Sequence, residues 1–107
     1  MKRVTFSEVA RQDRRAIVAV TVERFGLTQA RRLRQEFGRV IERLLAFPNS
    51  GAKRPELDPP GRSFRYVVVS RGFVVAYEWS DDGLFTVRIL HGARHLAREL
   101  DSEQDEP

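Results

Sequence analysis

The run Phe64-Arg65-Tyr66-Val67-Val68-Val69-Ser70-Arg71-Gly72-Phe73-Val74-Val75-Ala76-Tyr77-Glu78-Trp79-Ser80-Asp81-Asp82-Gly83-Leu84-Phe85-Thr86-Val87-Arg88-Ile89-Leu90 decides the fold. It holds three stretches rich in β-branched and aromatic residues, Phe64 to Ser70, Phe73 to Trp79 and Leu84 to Leu90. Arg71-Gly72 and Asp81-Asp82-Gly83 separate them and carry turn chemistry. Such a pattern predicts a three-stranded meander. In the third stretch Phe85, Val87 and Ile89 alternate with Thr86, Arg88 and Leu90, which predicts one face for each set.

Upstream the period changes from two to nearly four. Ala30, Leu33, Phe37, Val40, Ile41, Leu44 and Leu45 keep helical spacing, and Pro48 ends the run. Gly38 within it costs about 1 kcal/mol relative to alanine and is expected to mark a close contact. A first helix is predicted from Glu8 to Arg24, with Ser7 as its N-cap and Gly26 as its C-terminal glycine. Thr28 caps the second. The short connection makes the pair an antiparallel hairpin. Val4-Thr5-Phe6 reads as a strand, and Ala93 to Glu99 as a short final helix. Residues 48 to 62 hold four prolines and two glycines and read as a long surface loop.

The expected fold is therefore α+β in the order β-α-α-β-β-β, an N-terminal strand and helix hairpin packed on a small antiparallel sheet. Residues 1–100 form the single domain, and the acidic segment 101–107 is an extension without apolar residues for a core.

With 107 residues, 41% of them hydrophobic, the chain is long enough for one modest core. There is no cysteine, which excludes disulfides, thiol chemistry and the common structural zinc sites and fits a reducing cytoplasm. No apolar run approaches the roughly 18 residues of a membrane span. The basic start at Met1-Lys2-Arg3 lacks the apolar stretch of a signal peptide. His91 and His95 have helical ligand spacing, but Gly92 lies between them and no third ligand accompanies them, so no metal or other cofactor is expected. Neither a phosphate-binding loop nor a nucleophile elbow is present.

Charge says more. The net charge is +4, with 19 basic and 15 acidic residues, and only Lys2 and Lys53 are lysine. Five acids lie in the last nine residues, so the body carries +9 (19 basic against 10 acidic). Arginine forks grip carboxylates and phosphates at two points, which suits an acidic partner, whether nucleic acid or polypeptide. Arg62 and Arg65 flank Phe64 at the start of the first long strand. Arg88, His91 and Arg94 lie along and after the last. These five are expected to meet on one surface and bind a target. In a nuclease, Arg65, Arg88 and Arg94 would hold a phosphodiester and His91 would move the proton. The competing reading pairs them with Asp58, Glu78 or Glu99, and Asp13 with a surface arginine.

Ala10-x-x-Asp13-x-x-x-Ile17, Phe25-Gly26, Ala30, Leu33, Ile41, Leu44 and Pro48-x-x-Gly51 resemble the helix hairpin of ParE toxins in the RelE/ParE superfamily. Arg65 to Val69, Val75-Ala76-Tyr77 and Arg88-Ile89-Leu90-His91-Gly92-Ala93-Arg94 resemble that family's closing strands. The resemblance spans residues 3 to 98. It implies the toxin of a type II toxin–antitoxin module that inhibits DNA gyrase, arrests growth and stabilises plasmids, held as a hetero-oligomer by its antitoxin. RelE-type relatives instead cut messenger RNA on the ribosome. They place a tyrosine or histidine shortly after the arginine matching Arg94, and here Ala97-Arg98-Glu99-Leu100 follows without a tyrosine. A third alternative is a non-toxic protein that only binds the antitoxin. A disordered acidic antitoxin segment would be drawn to the basic body and anchored by apolar side chains, for which Leu27, Leu57 and Phe73 are the candidates.

Overall fold

The computed structural model describes residues 3–69 and 72–91. The elements are β1 (Arg3–Phe6), α1 (Glu8–Ala46), β2 (Ala52–Lys53), a 3-10 turn (Pro55–Leu57), β3 (Arg65–Val69), β4 (Phe73–Ser80) and β5 (Gly83–His91). They realise the expected α+β order. The final helix expected after Gly92 lies outside the described residues.

The helix hairpin is a single 39-residue element broken at Gly26, whose φ of 88° and ψ of 173° no helix tolerates. A positive φ of that size suits glycine, and it separates the first arm, residues 8–25, from the second, 27–46. Thr28 is thus helical and does not act as a cap. Ser7 does: its Oγ accepts from the Ala10 N–H at 2.9 Å. Gly38 marks no close contact, since a Cβ added there would have nothing within 4 Å.

The sheet has five strands in the order β1-β5-β4-β3-β2. β3, β4 and β5 form the expected meander, and β1 joins its far edge parallel to β5, pairing Arg3 with Gly83 and Phe6 with Thr86. Gly83 has a φ of 131°, and a Cβ there would overlap the Arg3 backbone. β2 pairs Ala52 with Tyr66 and Lys53 with Arg65, adding a fifth strand within the predicted loop.

Strict alternation fails in β5. Tyr77 pairs with Thr86 but Ala76 pairs with Arg88, which leaves Val87 as an extra residue. Side-chain parity therefore reverses at this bulge. Leu84, Thr86 and Ile89 face the hairpin, and Phe85, Val87 and Leu90 pack on the other side. On the hairpin side Ile17, Phe37, Val40 and Leu44 meet Tyr77, Val75 and Val69. The opposite face is buried too. Leu57 and Phe64 fold beneath it onto Tyr66, Val74 and Ala76. The Asp58 carboxylate fastens that loop, with Oδ1 accepting from Tyr66 Oη at 2.7 Å and from the Phe64 N–H at 3.1 Å.

β1 covers β5 only as far as Thr86. Beyond it, the start of α1 completes the strand edge. Ser7 donates its N–H to the Thr86 carbonyl at 2.9 Å and its hydroxyl to the Val87 carbonyl at 2.7 Å. Asp13, nearly two turns on, accepts from the Ile89 N–H at 3.0 Å. The Arg88 guanidinium grips the same carboxylate through Nε at 2.9 Å and Nη2 at 3.2 Å. Asp13 does pair with an arginine, but in a largely buried clamp, not on the surface.

Removing one partner of a buried, hydrogen-bonded pair strands the other charge. Asp13→Ala should cost about 3–5 kcal/mol in urea denaturation, and Arg88→Met in the Asp13→Ala background should recover part of that loss. Additive losses would show that the clamp is not one unit.

Candidate functional site

The arginines expected to converge take up separate structural duties. Arg65 turns toward the loop after the second arm, where NH1 donates to the Gly51 carbonyl at 2.8 Å and the Asn49 carbonyl at 3.3 Å. Its β4 partner, Tyr77, holds the same loop from beneath: Tyr77 Oη donates to the Pro48 carbonyl at 2.8 Å and accepts from the Gly51 N–H at 2.9 Å. Gly51 is required here, because a Cβ would lie about 2.5 Å from that phenol oxygen. Arg88 is spent on Asp13 at the opposite edge of the sheet centre. Arg62 is half-exposed, bonded to Glu78 at 2.6 Å, and lies over the Phe64 ring at 4.6 Å. Arg65 and Arg88 thus flank β4, the one bonded to the loop after the second arm and the other to Asp13 of the first.

His91 ends β5 in solvent, with its ring 4.6 Å from that of Phe73. Phe73 in turn meets Phe37 of the second arm at 6.0 Å. Arg94 lies outside the described residues. Of the three apolar anchors, Leu27 is 61% exposed beside the Gly26 break, Phe73 is half-buried, and Leu57 is buried in the core. Phe25 joins Leu27 at the hairpin tip, 58% exposed. The amino-acid pattern hid Phe25, because it falls in helical register with the arm's apolar residues.

Phe25, Phe73 and His91 line a cleft of about 440 Å³ between the two arms, whereas Leu27 and Leu57 are not part of its lining. Ile17, Val20, Phe25 and Leu33 form its apolar walls, Phe73 and His91 close the sheet end, and Arg24 and Arg32 stand at its rim. The arrangement is an apolar trough bordered by Arg24, Arg32 and Glu36, which suits a macromolecular segment bearing apolar and charged side chains. Among the described residues no group of three or more His, Cys, Asp or Glu is placed to hold a metal ion, and no helix is long and apolar enough to cross a membrane.

The two tyrosine phenols are both shifted upward. Burial pushes the phenol of Tyr66 up, and its hydrogen bond onto Asp58 adds to the effect. Burial also raises Tyr77, against the opposing pull of the Gly51 N–H. For an acid whose folded pKa lies above its unfolded value, the unfolded chain loses its proton first. Stability is then fully present below the unfolded pKa and falls as pH rises past it. These are the chain's two tyrosines, so a spectrophotometric titration reads them alone. Phenolate absorbance should stay flat through pH of about 10, the free-tyrosine value, and rise only with unfolding. A reversible rise near that pH in folded protein would contradict both placements.

Comparison with known proteins follows from this geometry. The family model described as the ParE toxin of the type II toxin–antitoxin system parDE matches residues 4–96. Among solved structures, a chain described as the chromosomal ParDE toxin–antitoxin system from P. aeruginosa is similar, with a TM-score of 0.68 at 24% sequence identity. That match covers 86% of this chain and 97% of the other. No curated protein sequence matches significantly.

Proposed function

Because the chain belongs to the ParE toxin family of type II toxin–antitoxin systems, we propose that it acts by binding, with DNA gyrase as its target and a cognate antitoxin as its restraint. The observation that carries binding over RNA cutting is the commitment of two nuclease candidates. Arg65 grips backbone carbonyls and Arg88 grips Asp13, so both guanidiniums support the fold. What faces solvent is a basic exterior, with Arg62 and His91 at opposite ends of the sheet. Such a surface complements a macromolecular target better than it assembles around one reacting phosphate.

The antitoxin reading rests on the trough between the arms. An acidic segment with apolar side chains would settle on Phe25 and Phe73 in the trough and on exposed Leu27 at the hairpin tip, and Arg24 and Arg32 would meet its carboxylates. The similar solved chain, described as part of a ParDE system, supports a partner of this kind.

Purified protein should inhibit gyrase supercoiling at roughly micromolar concentration, and equimolar antitoxin should relieve that inhibition. Leu27→Glu, at an exposed position that leaves the core intact, should weaken antitoxin binding about tenfold or more. Unaffected supercoiling with cleaved translated messages would overturn the proposal in favour of a ribosome-dependent nuclease. Unimpaired growth on strong expression without antitoxin would overturn it in favour of a non-toxic binding partner.

A further inference from the structure

The hairpin carries a second charged surface, away from the trough. Arg11, Arg14 and Arg15 are exposed on the first arm and recur at three- and four-residue steps, which puts them on one face of that helix. The trough uses Ile17, Val20 and Arg24, on another face of the same arm. Arg14 and Arg15 share an open depression of about 390 Å³ with Arg34 of the second arm, and Val18 and Ala19 complete its lining. Arg31 is exposed one turn before Arg34.

No acidic side chain lines this depression. Among the described residues Arg11, Arg14, Arg31 and Arg34 form no ion pair, and Arg15 has only a contact with Glu8 at 3.6 Å between exposed side chains. Arg14 is held over the Phe6 ring at 4.8 Å, which orders its guanidinium and leaves the in-plane N–H groups available. Cations gathered in this way raise the local potential for an anion.

The surroundings decide which polyanion fits. The large apolar side chains exposed on the chain are Val20, Phe25, Leu27, Phe47 and Val68, and none of them lines the depression. An acidic polypeptide therefore finds charge here without apolar anchors. The one ring beneath the patch, Phe6, is half-buried under Arg14, so unpaired bases find no platform to stack on. Duplex DNA needs neither. Its strands each present a phosphate about every 3.4 Å of axis, and arginine forks take phosphate at two points. From Arg11 to Arg15 the helix climbs about 6 Å, comparable with two phosphate steps.

We propose that this face of the hairpin binds the phosphate backbone of duplex DNA without regard to base sequence. Arg14 and Arg34 grip phosphate across the depression, and Arg11, Arg15 and Arg31 extend the contact along the two arms. Ala19, and Gly38 one turn past Arg34, are small and exposed and let the DNA backbone come close.

Fluorescence anisotropy of a labelled duplex of about 20 base pairs tests this with the full chain. The Kd should lie below about 100 μM at roughly 50 mM salt, and log K should fall against log salt with a slope of about −4. Arg14→Gln and Arg34→Gln, both surface changes, should each reduce the magnitude of that slope by about one. Arg54→Gln removes the same charge elsewhere, where Arg54 pairs with Glu56 in the turn whose Leu57 packs on the opposite face of the sheet, and should leave the slope unchanged. An equal loss of slope with Arg54→Gln would overturn the assignment to the hairpin. No binding up to about 100 μM at that salt would overturn the proposal outright. So would equal or tighter binding of a single strand of the same length, or of polyglutamate of the same charge. The mixture contains neither gyrase nor antitoxin, so its outcome is independent of both of those readings.

Discussion

Everything in this fold depends on how the helix hairpin is joined to β5. A strand edge left open exposes unpaired backbone groups, and here β1 stops short of closing it. Ser7 and Asp13 finish the task with one backbone N–H, one hydroxyl and one carboxylate. Arg88 neutralises that carboxylate in a largely buried setting, where the pair's partners matter more than its net strength. The first arm is therefore fixed in register against the sheet before any apolar contact is counted. The cleft between the arms takes its shape from that registration, since Ile17 lies one turn beyond Asp13 and forms part of its wall.

A second fastening point lies at the other end of the hairpin. Arg65 and Tyr77, neighbours across β3 and β4, hold the Pro48–Gly51 loop from two sides. Both fastenings draw on residues that look functional when met in isolation, an arginine in a strand or a tyrosine beside it. Their work is to bind the chain to itself.

The helices and the three-strand meander were legible because spacing and β-branched composition are local properties, as were the Ser7 cap and the glycine break at position 26. The clamp was not legible in that way. Asp13 and Arg88 are 75 residues apart, and no local pattern tells which arginine a helical aspartate will meet. Arg65 read as a surface cation because backbone carbonyl acceptors leave no mark in side-chain identity. Leu57 lies in a stretch without periodicity, so its burial under the sheet followed from tertiary packing alone. The bulge at Val87 had the widest effect: a single extra residue broke the alternation of the last strand and put Ile89 on the same face as Leu84 and Thr86.

The parallel pairing of Arg3–Phe6 with Gly83–Thr86 carries a consequence for biosynthesis. The opening strand is the first part of the domain to leave the ribosome, yet its hydrogen-bonding neighbour is almost the last. Closing so long a loop delays this ladder relative to the local hairpins. A chain halted before Gly83 lacks both that ladder and the Asp13 fastening. A chain assembled in this order acquires its final shape only when translation of its domain is nearly complete.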